Sequence, residues 1–327
     1  MSRGVFHNSL LTVVRQVLSI VFGLLAMVII ARVLGKSGQG QYTLAILLPT
    51  LLFTLLNSGL SISTVYFLGQ KKYTDEEIYS TNLFTSFLLS LVSIATGFVI
   101  IFFFKDYFFE NLSSKLLLYT LLIIPLIFTQ KNLQTIFQGK EDFEKFNLIV
   151  ILNQLGLLLF SIVFVWFLDL GVYGAVLSFG MSQFLMLVAS FYFLKTSYGL
   201  FWPKKVSIDF AKESFKFGLK GHLSNVLSFF NYRIDMFIIA YFMDDVAVGV
   251  YSVAVLLSER IWLISQSVSS VLFARVANLS SDDERNRFTS IASRNTLFIT
   301  FIGGLFLAVI SEWFIELFFG IEFVDSV

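Results

Sequence analysis

The stretch LFTSFLLSLVSIATGFVIIFFF, residues Leu83–Phe104, decides the fold class because its 22 residues carry no charge. An α-helix needs roughly 20 mostly apolar residues to cross the hydrocarbon core of a bilayer. Within lipid, every backbone polar group must be hydrogen-bonded inside the segment, and a helix meets that requirement. This stretch therefore predicts a transmembrane helix.

The same length criterion predicts eight further spans. Uncharged runs occur at Gly38–Gln70, Leu148–Leu168, Gly171–Leu194 and Asn295–Ser311, and runs with isolated charges cover about 11–31, 116–137, 217–243 and 248–274. The segments between these spans are too short to fold as a soluble domain. The expected fold class is all-α: a polytopic membrane protein with about nine transmembrane helices.

The composition agrees with lipid as the main solvent. Hydrophobic residues make up 57% of the chain and charged residues 14%, whereas soluble domains carry about 25% charged residues. The chain has no cysteine and two histidines, which argues against disulfides and transition-metal sites. It also lacks a Walker or Rossmann glycine pattern. We therefore expect no metal, no cofactor, no direct use of ATP and no nucleic-acid partner.

The distribution of Lys and Arg predicts the orientation, because cytoplasmic loops carry an excess of these residues. With the N-terminus in the cytoplasm, the inner segments hold 15 of them and the outer loops hold four. The outer four are Arg32, Lys36, Lys105 and Lys115. This split predicts a cytoplasmic N-terminus.

The chain repeats itself at an offset of 209 residues. MVIIARVLGKSGQGQYTLAILL (Met27–Leu48) aligns without gaps with MFIIAYFMDDVAVGVYSVAVLL (Met236–Leu257). Spans 1 and 7 both run outward, so the repeat is parallel, as in two-lobe transporters. We expect a six-helix lobe over residues 1–200, and over 210–327 the first three helices of a second lobe that is incomplete.

Two stripes of polar residues superpose under this offset. Span 2 carries Thr43, Thr50, Thr54, Asn57, Ser61 and Thr64, and span 8 carries Ser252, Glu259, Gln266 and Ser270. At about 100° per residue, each set lies on one face of its helix. Such stripes serve either helix packing or the lining of a shared polar cavity. The duplicated register favours the cavity, with Asn57 and Gln266 as substrate-binding residues.

Charged residues inside the predicted spans point to function. Arg233, Asp235, Glu259 and Arg260 lie near the middle of spans 7 and 8. A charge at the bilayer centre costs about 2.5–3.5 kcal/mol on insertion scales, so such residues usually face a partner or water. They either form structural pairs, Arg233 with Asp235 and Arg260 with Glu259, or line a cavity. Neighbours in sequence point in different directions, which favours the cavity, with Asp235 and Glu259 as candidates for charge pairing or ion coupling. Arg15 lies in the cytoplasmic half of span 1, where it either binds substrate or extends to the interface.

Four segments carry a resemblance to a known family: ARVLGKSGQGQYTLAILLP (Ala31–Pro49), QGKEDFEKFN (Gln138–Asn147), NYRIDMFIIAYF (Asn231–Phe242) and VGVYSVAVLLSERIW (Val248–Trp262). The chain resembles the bacterial O-antigen and capsule repeat-unit flippases (Wzx-type) of the multidrug/oligosaccharidyl-lipid/polysaccharide exporter superfamily. The resemblance extends over essentially the whole chain, which has fewer spans than members of that family usually have.

The resemblance implies a substrate and a mechanism. The substrate would be an undecaprenyl-diphosphate-linked oligosaccharide, moved to the outer leaflet by alternating access between two lobes. On matching positions, Arg233 and Arg260 would lie in a cationic cavity and Arg15 at its inner mouth. The partners would be membrane lipid, a polysaccharide polymerase and the chain-length machinery. Together they would serve O-antigen or capsule synthesis at the bacterial inner membrane.

Three other functions stay open. A cation-coupled multidrug exporter of the same superfamily would favour more carboxylates in the cavity than the two that oppose three arginines here. A membrane glycosyltransferase or polysaccharide polymerase generally needs acidic catalytic residues or a large outer loop, and the first outer loop, Arg32–Gly40, has no carboxylate. A scaffolding membrane protein would not explain the duplicated polar stripe. We expect no enzymatic activity.

Overall fold

The computed structural model describes residues 2–262, 265, 268–269, 272, 276 and 281–327. Nine helices cover most of them: α1 (Ser2–Leu56), α2 (Leu60–Gln70), α3 (Asp75–Phe108), α4 (Ser114–Gly139), α5 (Phe143–Ser161), α6 (Gly171–Tyr198), α7 (Ile208–Phe242), α8 (Asp245–Ser258) and α9 (Asp282–Phe318). A π-helical turn (Ile162–Phe167) continues α5, and a 3₁₀ turn (Glu259–Ile261) follows α8. These residues contain no β-strand, which confirms the all-α prediction.

Six helices in the described part of the chain are long and apolar enough to cross a membrane. They are α1 from Val17 to its end, α3, α4, α5 with its π-helical turn, α6 and α9. The apolar part of α1 is 40 residues long and contains two predicted spans, so these helices account for seven of the nine. The seventh span falls in α7, whose first half is charged, and the eighth extends beyond the described residues. The total of nine therefore stays a prediction.

The first predicted outer loop is a kink inside α1. We expected a loop at Arg32–Gly40, but the chain there is helical except at Gly35, where φ is +67° and ψ is −175°. Glycine adopts a positive φ readily because it has no Cβ. One residue therefore changes the direction of the helix, and α1 has two arms, one before and one after Gly35.

The second predicted span is broken near its inner end. The uncharged run Gly38–Gln70 was expected to hold one span with its flanks, and the structure divides it: α1 ends at Leu56 and α2 begins at Leu60. Ser58 (φ +51°) and Gly59 (φ +72°) are both left-handed. The break disturbs the regular hydrogen bonds, and the Leu55 carbonyl lies 2.9 Å from Nε2 of His222 in α7. A side chain of another helix thus bonds a main-chain carbonyl at the break, as membrane helices require.

Helix α3 begins with a capping box and packs against its neighbours through a polar face. The Thr74 side chain accepts a hydrogen bond from the Glu77 backbone, and Glu77 bonds back to the backbone of Thr74, which forms a capping box. Farther along, the buried face of α3 consists largely of small polar residues: Ser80, Thr81, Asn82, Thr85, Ser86, Ser90 and Ser93. Small residues let membrane helices approach closely and hydrogen-bond to one another. This face of α3 therefore packs inside the helix bundle.

The chain forms two compact units, Met1–Val248 and Gly249–Val327. The helix bounds also follow the sequence repeat: α3 shifted by 209 residues covers 284–317, and α9 runs from Asp282 to Phe318. The first arm of α1 shifted in the same way ends at residue 243, next to the observed end of α7 at Phe242. The repeat is thus present in the helix boundaries, while the assignment of lobes to 1–200 and 210–327 stays a prediction.

Candidate transport site

A chain of buried and partly buried hydrogen bonds joins the α1–α2 break, α2, α4 and α3. Asn57 Nδ2 donates to Ser61 Oγ (3.1 Å), and Ser61 Oγ donates to Asn132 Oδ1 (3.1 Å). Asn132 Nδ2 then donates to Ser86 Oγ (2.9 Å), and Ser86 Oγ lies 3.4 Å from the Phe128 carbonyl. In this arrangement Asn132 is the central residue, because it bonds both α2 and α3.

The inner end of the polar stripe of span 2 therefore serves helix packing. Asn57 is 8% exposed, and its amide nitrogen is engaged with Ser61. Thr64 is fully buried and exchanges hydrogen bonds with Asn82 of α3. Asn57 Oδ1 is buried without a hydrogen-bond partner among the described residues. A role of Asn57 in substrate binding stays a prediction.

The outer part of the same stripe bonds to its own helix. Thr43, Thr50 and Thr54 are half-buried, and each hydroxyl donates to a main-chain carbonyl three or four residues earlier. Each hydroxyl oxygen keeps acceptor capacity, because a Ser or Thr hydroxyl has two lone pairs. These hydroxyls therefore bond to carbonyls of their own helix, and their oxygen atoms can still accept a hydrogen bond.

Helix α7 meets the break between α1 and α2 through two glycines. A Cβ built on Gly59 would lie 2.2 Å from the Gly218 carbonyl oxygen, and a Cβ on Gly218 would lie 2.6 Å from that of Gly59. The two backbones are thus in direct contact, which only residues without side chains permit. This contact and the His222 bond to Leu55 fix α7 at this position.

The charged residues of α7 make local contacts. Arg233 Nη1 donates to the Tyr232 carbonyl at 2.9 Å, and Asp235 Oδ1 accepts from the Met236 amide at 2.8 Å. Both side chains are half-buried rather than fully exposed. Arg233 therefore has access to partners in addition to its own helix, as an intramembrane arginine requires.

Glu259 and Arg260 lie where α8 leaves regular helix. Both belong to the 3₁₀ turn Glu259–Ile261, and both are half-buried. Arg260 Nε is buried without a hydrogen-bond partner among the described residues. Arg260 belongs to the second unit and Arg233 to the first, so a common cavity stays a prediction. Gln266 and Ser270 of the predicted stripe lie outside the described residues.

Arg15 forms an ion pair with Glu144 in the first turn of α5. The Nη2–Oε1 distance is 3.3 Å, and the side chains of Arg15 and Glu144 are 23% and 76% exposed. Arg15 thus lies level with the start of α5, which is the end expected to face the cytoplasm. Exposed pairs of this kind contribute little stability, so this contact leaves the guanidinium able to change partners.

Ion pairs gather at this same end of the first unit, which we call the basic end: Lys72–Glu213, Lys140–Asp75, Lys145–Asp142, Lys204–Glu76 and Lys205–Glu77. They come from three segments that the positive-inside rule assigned to one side, and the structure confirms that these segments share an end. The side of the membrane on which this end lies is not decided by these contacts.

The pairing changes the pKa values of residues at the basic end. The hydrogen bond from Lys72 lowers the pKa of Glu213, and the same bond raises the pKa of Lys72. Burial alone would raise the pKa of Asp142, but hydrogen bonds from Lys145 and Tyr198 outweigh it and lower that pKa. These carboxylates are therefore kept ionised, as partners for cations require.

A buried carboxylate at the opposite end was not singled out from the sequence. Asp245, at the start of α8, is 7% exposed. Its Oδ2 accepts from Ser37 Oγ (2.7 Å) and Gln41 Nε2 (2.8 Å), and its Oδ1 accepts from Asn111 Nδ2 (3.1 Å). The neighbouring Asp244 differs in burial: it is exposed, and its side chain accepts a hydrogen bond from the Ala247 amide.

Three cavities differ in lining. In the first unit, apolar side chains line a groove of about 510 Å³ between α3 and α7, and the two tyrosines Tyr119 and Tyr173 join apolar residues in one of about 650 Å³ between α4 and α6. In the second unit, a cavity of about 350 Å³ contains five hydroxyl side chains: Ser265, Ser269, Ser293, Thr296 and Thr300. Hydroxyl groups both donate and accept hydrogen bonds, as sugar recognition requires. Among the described residues, no group of three or more His, Asp or Glu side chains could hold a metal ion.

Residues 29–327 match the family described as polysaccharide biosynthesis protein. The chain belongs to this family. No curated protein matches the sequence. The matched residues lie in both units of the structure. The match confirms the resemblance seen in the sequence.

Solved transporter structures share the fold. The eukaryotic MATE transporter AtDTX14 is 17% identical, with a TM-score of 0.55 over 97% of this chain and 77% of that one. An outward-facing multidrug resistance MATE family transporter of the MOP superfamily is 19% identical, with a TM-score of 0.53 over 94% and 76%. MATE in complex with MaL6 is 18% identical, with a TM-score of 0.53 over 93% and 76%. The polysaccharide family member described here is therefore a multi-pass membrane protein with a MATE-like transporter fold.

Proposed function

We propose that the protein is a flippase that moves a polyprenyl-diphosphate-linked oligosaccharide across the bacterial plasma membrane for O-antigen or capsule synthesis. The observation that carries the proposal is the combination of a polysaccharide biosynthesis family over residues 29–327 with a transporter fold. A transporter in this family needs a cargo from that synthesis, and a lipid-linked repeat unit made in the inner leaflet is such a cargo.

The charges inside the membrane suit such a cargo. A diphosphate is recognised by Arg and Lys donors, and Arg binds phosphate with paired N–H groups. Arg233 and Arg260 are half-buried within or next to apolar helices, and we assign them to the diphosphate. Arg15, held at the basic end by Glu144, would meet the substrate first. Asp235 and Glu259 would orient these arginines or carry a coupling ion, and Asn57 and Gln266 would bind the substrate.

The proposed direction of transport requires the basic end to lie in the cytoplasm. The protein has no cysteine, so single cysteines introduced at Lys205 or Lys105 report the side of the membrane without background. In intact cells, an impermeant maleimide should label Lys105→Cys and leave Lys205→Cys unlabelled until the membrane is permeabilised. Labelling of Lys205→Cys in intact cells would refute the orientation.

Deletion of the gene in its own bacterium tests the function. A flippase mutant should lose surface polysaccharide and accumulate the completed lipid-linked oligosaccharide, which mass spectrometry of extracted lipids detects. Loss of a glycosyltransferase would instead stop assembly, and loss of a polymerase would leave single repeat units at the surface. Normal surface polysaccharide together with raised drug accumulation would favour the multidrug exporter, which the MATE transporters with this fold suggest.

Complementation by variants tests the site. Arg233→Ala and Arg260→Ala in the full chain should fail to restore surface polysaccharide at normal protein level, and Arg→Lys should restore it in part. Arg287→Ala is a matched control, because Arg287 is exposed and lies in the first turns of α9. Normal export by the double alanine variant would remove these arginines from the site. Contacts with the polymerase and chain-length machinery belong to the same proposal.

A further inference from the structure

Lys131 is a cation deep inside an apolar helix. It lies in α4, which is long and apolar enough to cross the membrane, eight residues before the helix ends at Gly139. At about 1.5 Å per residue, this places its Cα roughly 12 Å inside that end. A lysine side chain extends over roughly one helical turn, about 5 Å, so it cannot reach the end of α4 by extending along it.

The face of α4 that carries Lys131 is opposite to its outward-facing surface. Leu122 is 69% exposed, and Tyr119 is 44% exposed on the same side. Lys131 lies nine residues after Leu122, which is about 180° around the helix axis. Its side chain is nevertheless exposed. A polar side chain exposed away from the lipid surface of a membrane helix lines an internal, water-accessible space.

That space is closed on one side of Lys131 and open on the other. Thr120, Ile124 and Ile127 lie on the same face towards the opposite end, and all three are buried at 0–3% exposure. Towards the basic end, Thr135 is half-buried and Gln138 is exposed. This change from buried to exposed along one face points to a crevice that opens at the basic end and ends beside Lys131.

Lys131 has no ion pair and no hydrogen bond to any described residue, unlike the lysines at the mouth of the crevice. Lys72, Lys140, Lys145, Lys204 and Lys205 are each paired with a carboxylate. The residues beside Lys131 in sequence, Gln130 and Asn132, are uncharged and fully buried. An unpaired ammonium group at membrane depth is costly, and it leaves the closed end of the crevice with an uncompensated positive charge.

We propose that Lys131 binds a phosphate group of the anionic ligand at the closed end of this crevice. The inference rests on the proposed function and assigns a residue of the first unit to the diphosphate, in addition to the arginines. The ammonium group supplies three hydrogen-bond donors and a compact charge. The Gln138 side chain and the Thr135 oxygen lie along the path and suit the sugar or phosphate oxygens that follow.

The crevice is tested by chemical labelling of the cysteine-free chain. Lys131→Cys in the purified protein should react with an anionic methanethiosulfonate, and farnesyl diphosphate should slow this reaction. Leu122→Cys, on the opposite face of the same helix, should be unreactive in detergent or lipid and insensitive to farnesyl diphosphate. An unreactive cysteine at position 131 would refute the water-accessible crevice.

Binding of farnesyl diphosphate to the full chain tests the role of the charge. Lys131→Gln should weaken binding about tenfold or more, because a charge-assisted bond to phosphate is lost, and Lys131→Arg should restore most of it. Lys115→Gln, at an exposed position near the other end of α4, is the matched control and should leave binding unchanged. Farnesol, which lacks the diphosphate, should not distinguish Lys131→Gln from the native protein.

The outcomes separate the two proposals. Equal farnesyl diphosphate binding by the native protein and by Lys131→Gln, with unchanged thermal stability, would overturn the role of Lys131 and leave the flippase proposal intact. Absence of binding of both farnesyl diphosphate and undecaprenyl diphosphate to the native protein would overturn both.

Discussion

Asp245 Oδ2 accepts a hydrogen bond of 2.7 Å from Ser37 Oγ and thereby joins the start of α8 to the second arm of α1. Gln41 of α1 and Asn111 of the α3–α4 connection donate to the same carboxylate. Three segments far apart in sequence thus meet on one buried side chain. Because these three donors meet on one carboxylate, Asp245 organises the end of the first unit that lies opposite the basic end.

Removal of the Asp245 carboxylate should destabilise the protein. Asp245→Ala leaves three donors without their acceptor, and hydrogen bonds to a charged group are worth about 1.5–3 kcal/mol. We expect a clearly lower Tm for the purified protein in detergent. Asp244→Asn is the control, because its exposed side chain keeps the oxygen that caps Ala247. Equal Tm values for the two variants would contradict the importance of the buried carboxylate.

The contact between Gly59 and Gly218 should tolerate no side chain. Gly218→Leu would place atoms within 3 Å of the Gly59 carbonyl and separate α7 from the α1–α2 break. The expected result is loss of folded protein in size-exclusion chromatography, with Gly218→Ala intermediate because overpacking typically costs about 1–3 kcal/mol.

Gly69→Leu provides the matched control for this contact. Gly69 is also in a membrane-associated helix, but a Cβ there would meet nothing within 4 Å. Folded protein yields that fall equally for Gly69→Leu and Gly218→Leu would show that any leucine at a glycine is harmful. The close approach of the two backbones would then not explain the effect.

Asn132 should stabilise the protein through its two hydrogen bonds, one to α2 and one to α3. Asn132→Leu keeps a similar volume but removes the partner of both Ser61 and Ser86. Hydrogen bonds between membrane helices average about 0.6 kcal/mol, with a maximum of about 1.7, so the loss of two should lower stability by about 1 kcal/mol. Gln138→Leu, exposed on the same helix, should change thermal stability little. A stabilised Asn132→Leu variant would show that the buried network is not favourable.

The ion pair of Lys72 and Glu213 should make stability depend on pH at both extremes. The lowered pKa of Glu213 contributes stability above the ordinary carboxyl pKa, and this is lost as the pH falls through the lowered value. The raised pKa of Lys72 contributes below the ordinary lysine pKa, and this is lost as the pH rises through the raised value. The pair therefore stabilises the protein across neutral pH.

Thermal melts at several pH values test this pair. The Tm difference between the native protein and Glu213→Gln should be largest near neutral pH and shrink in acid and in strong alkali. Glu141→Gln, which removes an exposed carboxylate without an ion pair to the described residues, should show no such profile. A Tm difference for Glu213→Gln that is independent of pH would show that the charge of Glu213 is not responsible.

The sequence predicted the helical elements because their signal is local. The 22 uncharged residues Leu83–Phe104 define most of α3 without reference to any other part of the chain, since a helix satisfies its own backbone in lipid. The offset of 209 residues predicted which helices correspond, and the bounds of α3 and α9 agree with it. The shared end of the basic segments was likewise visible in the Lys and Arg distribution.

The sequence did not predict how Gly35 and Gly59 shape the first two spans. A loop was expected at Arg32–Gly40 and one span with its flanks within Gly38–Gln70, but the structure has a kink at Gly35 and a break at Asn57–Gly59. Hydropathy reports how long a segment stays apolar, and it carries no information on single backbone angles. The contact with Gly218 and the His222 bond explain the location of the break, and both come from α7.

By itself, the sequence determined that this protein lies in the membrane as an all-helical repeat with charged residues at depth, because the transfer of side chains between water and lipid is a property of each segment. Only the tertiary structure decided which polar groups pair. It joined Asn57 through Ser61 to Asn132, gave Asp245 three donors and left Lys131 exposed on α4 without an ion pair to any described residue. The physical reason is that hydrogen bonds act over about 3 Å, and only packing brings residues 71 to 208 positions apart within that distance.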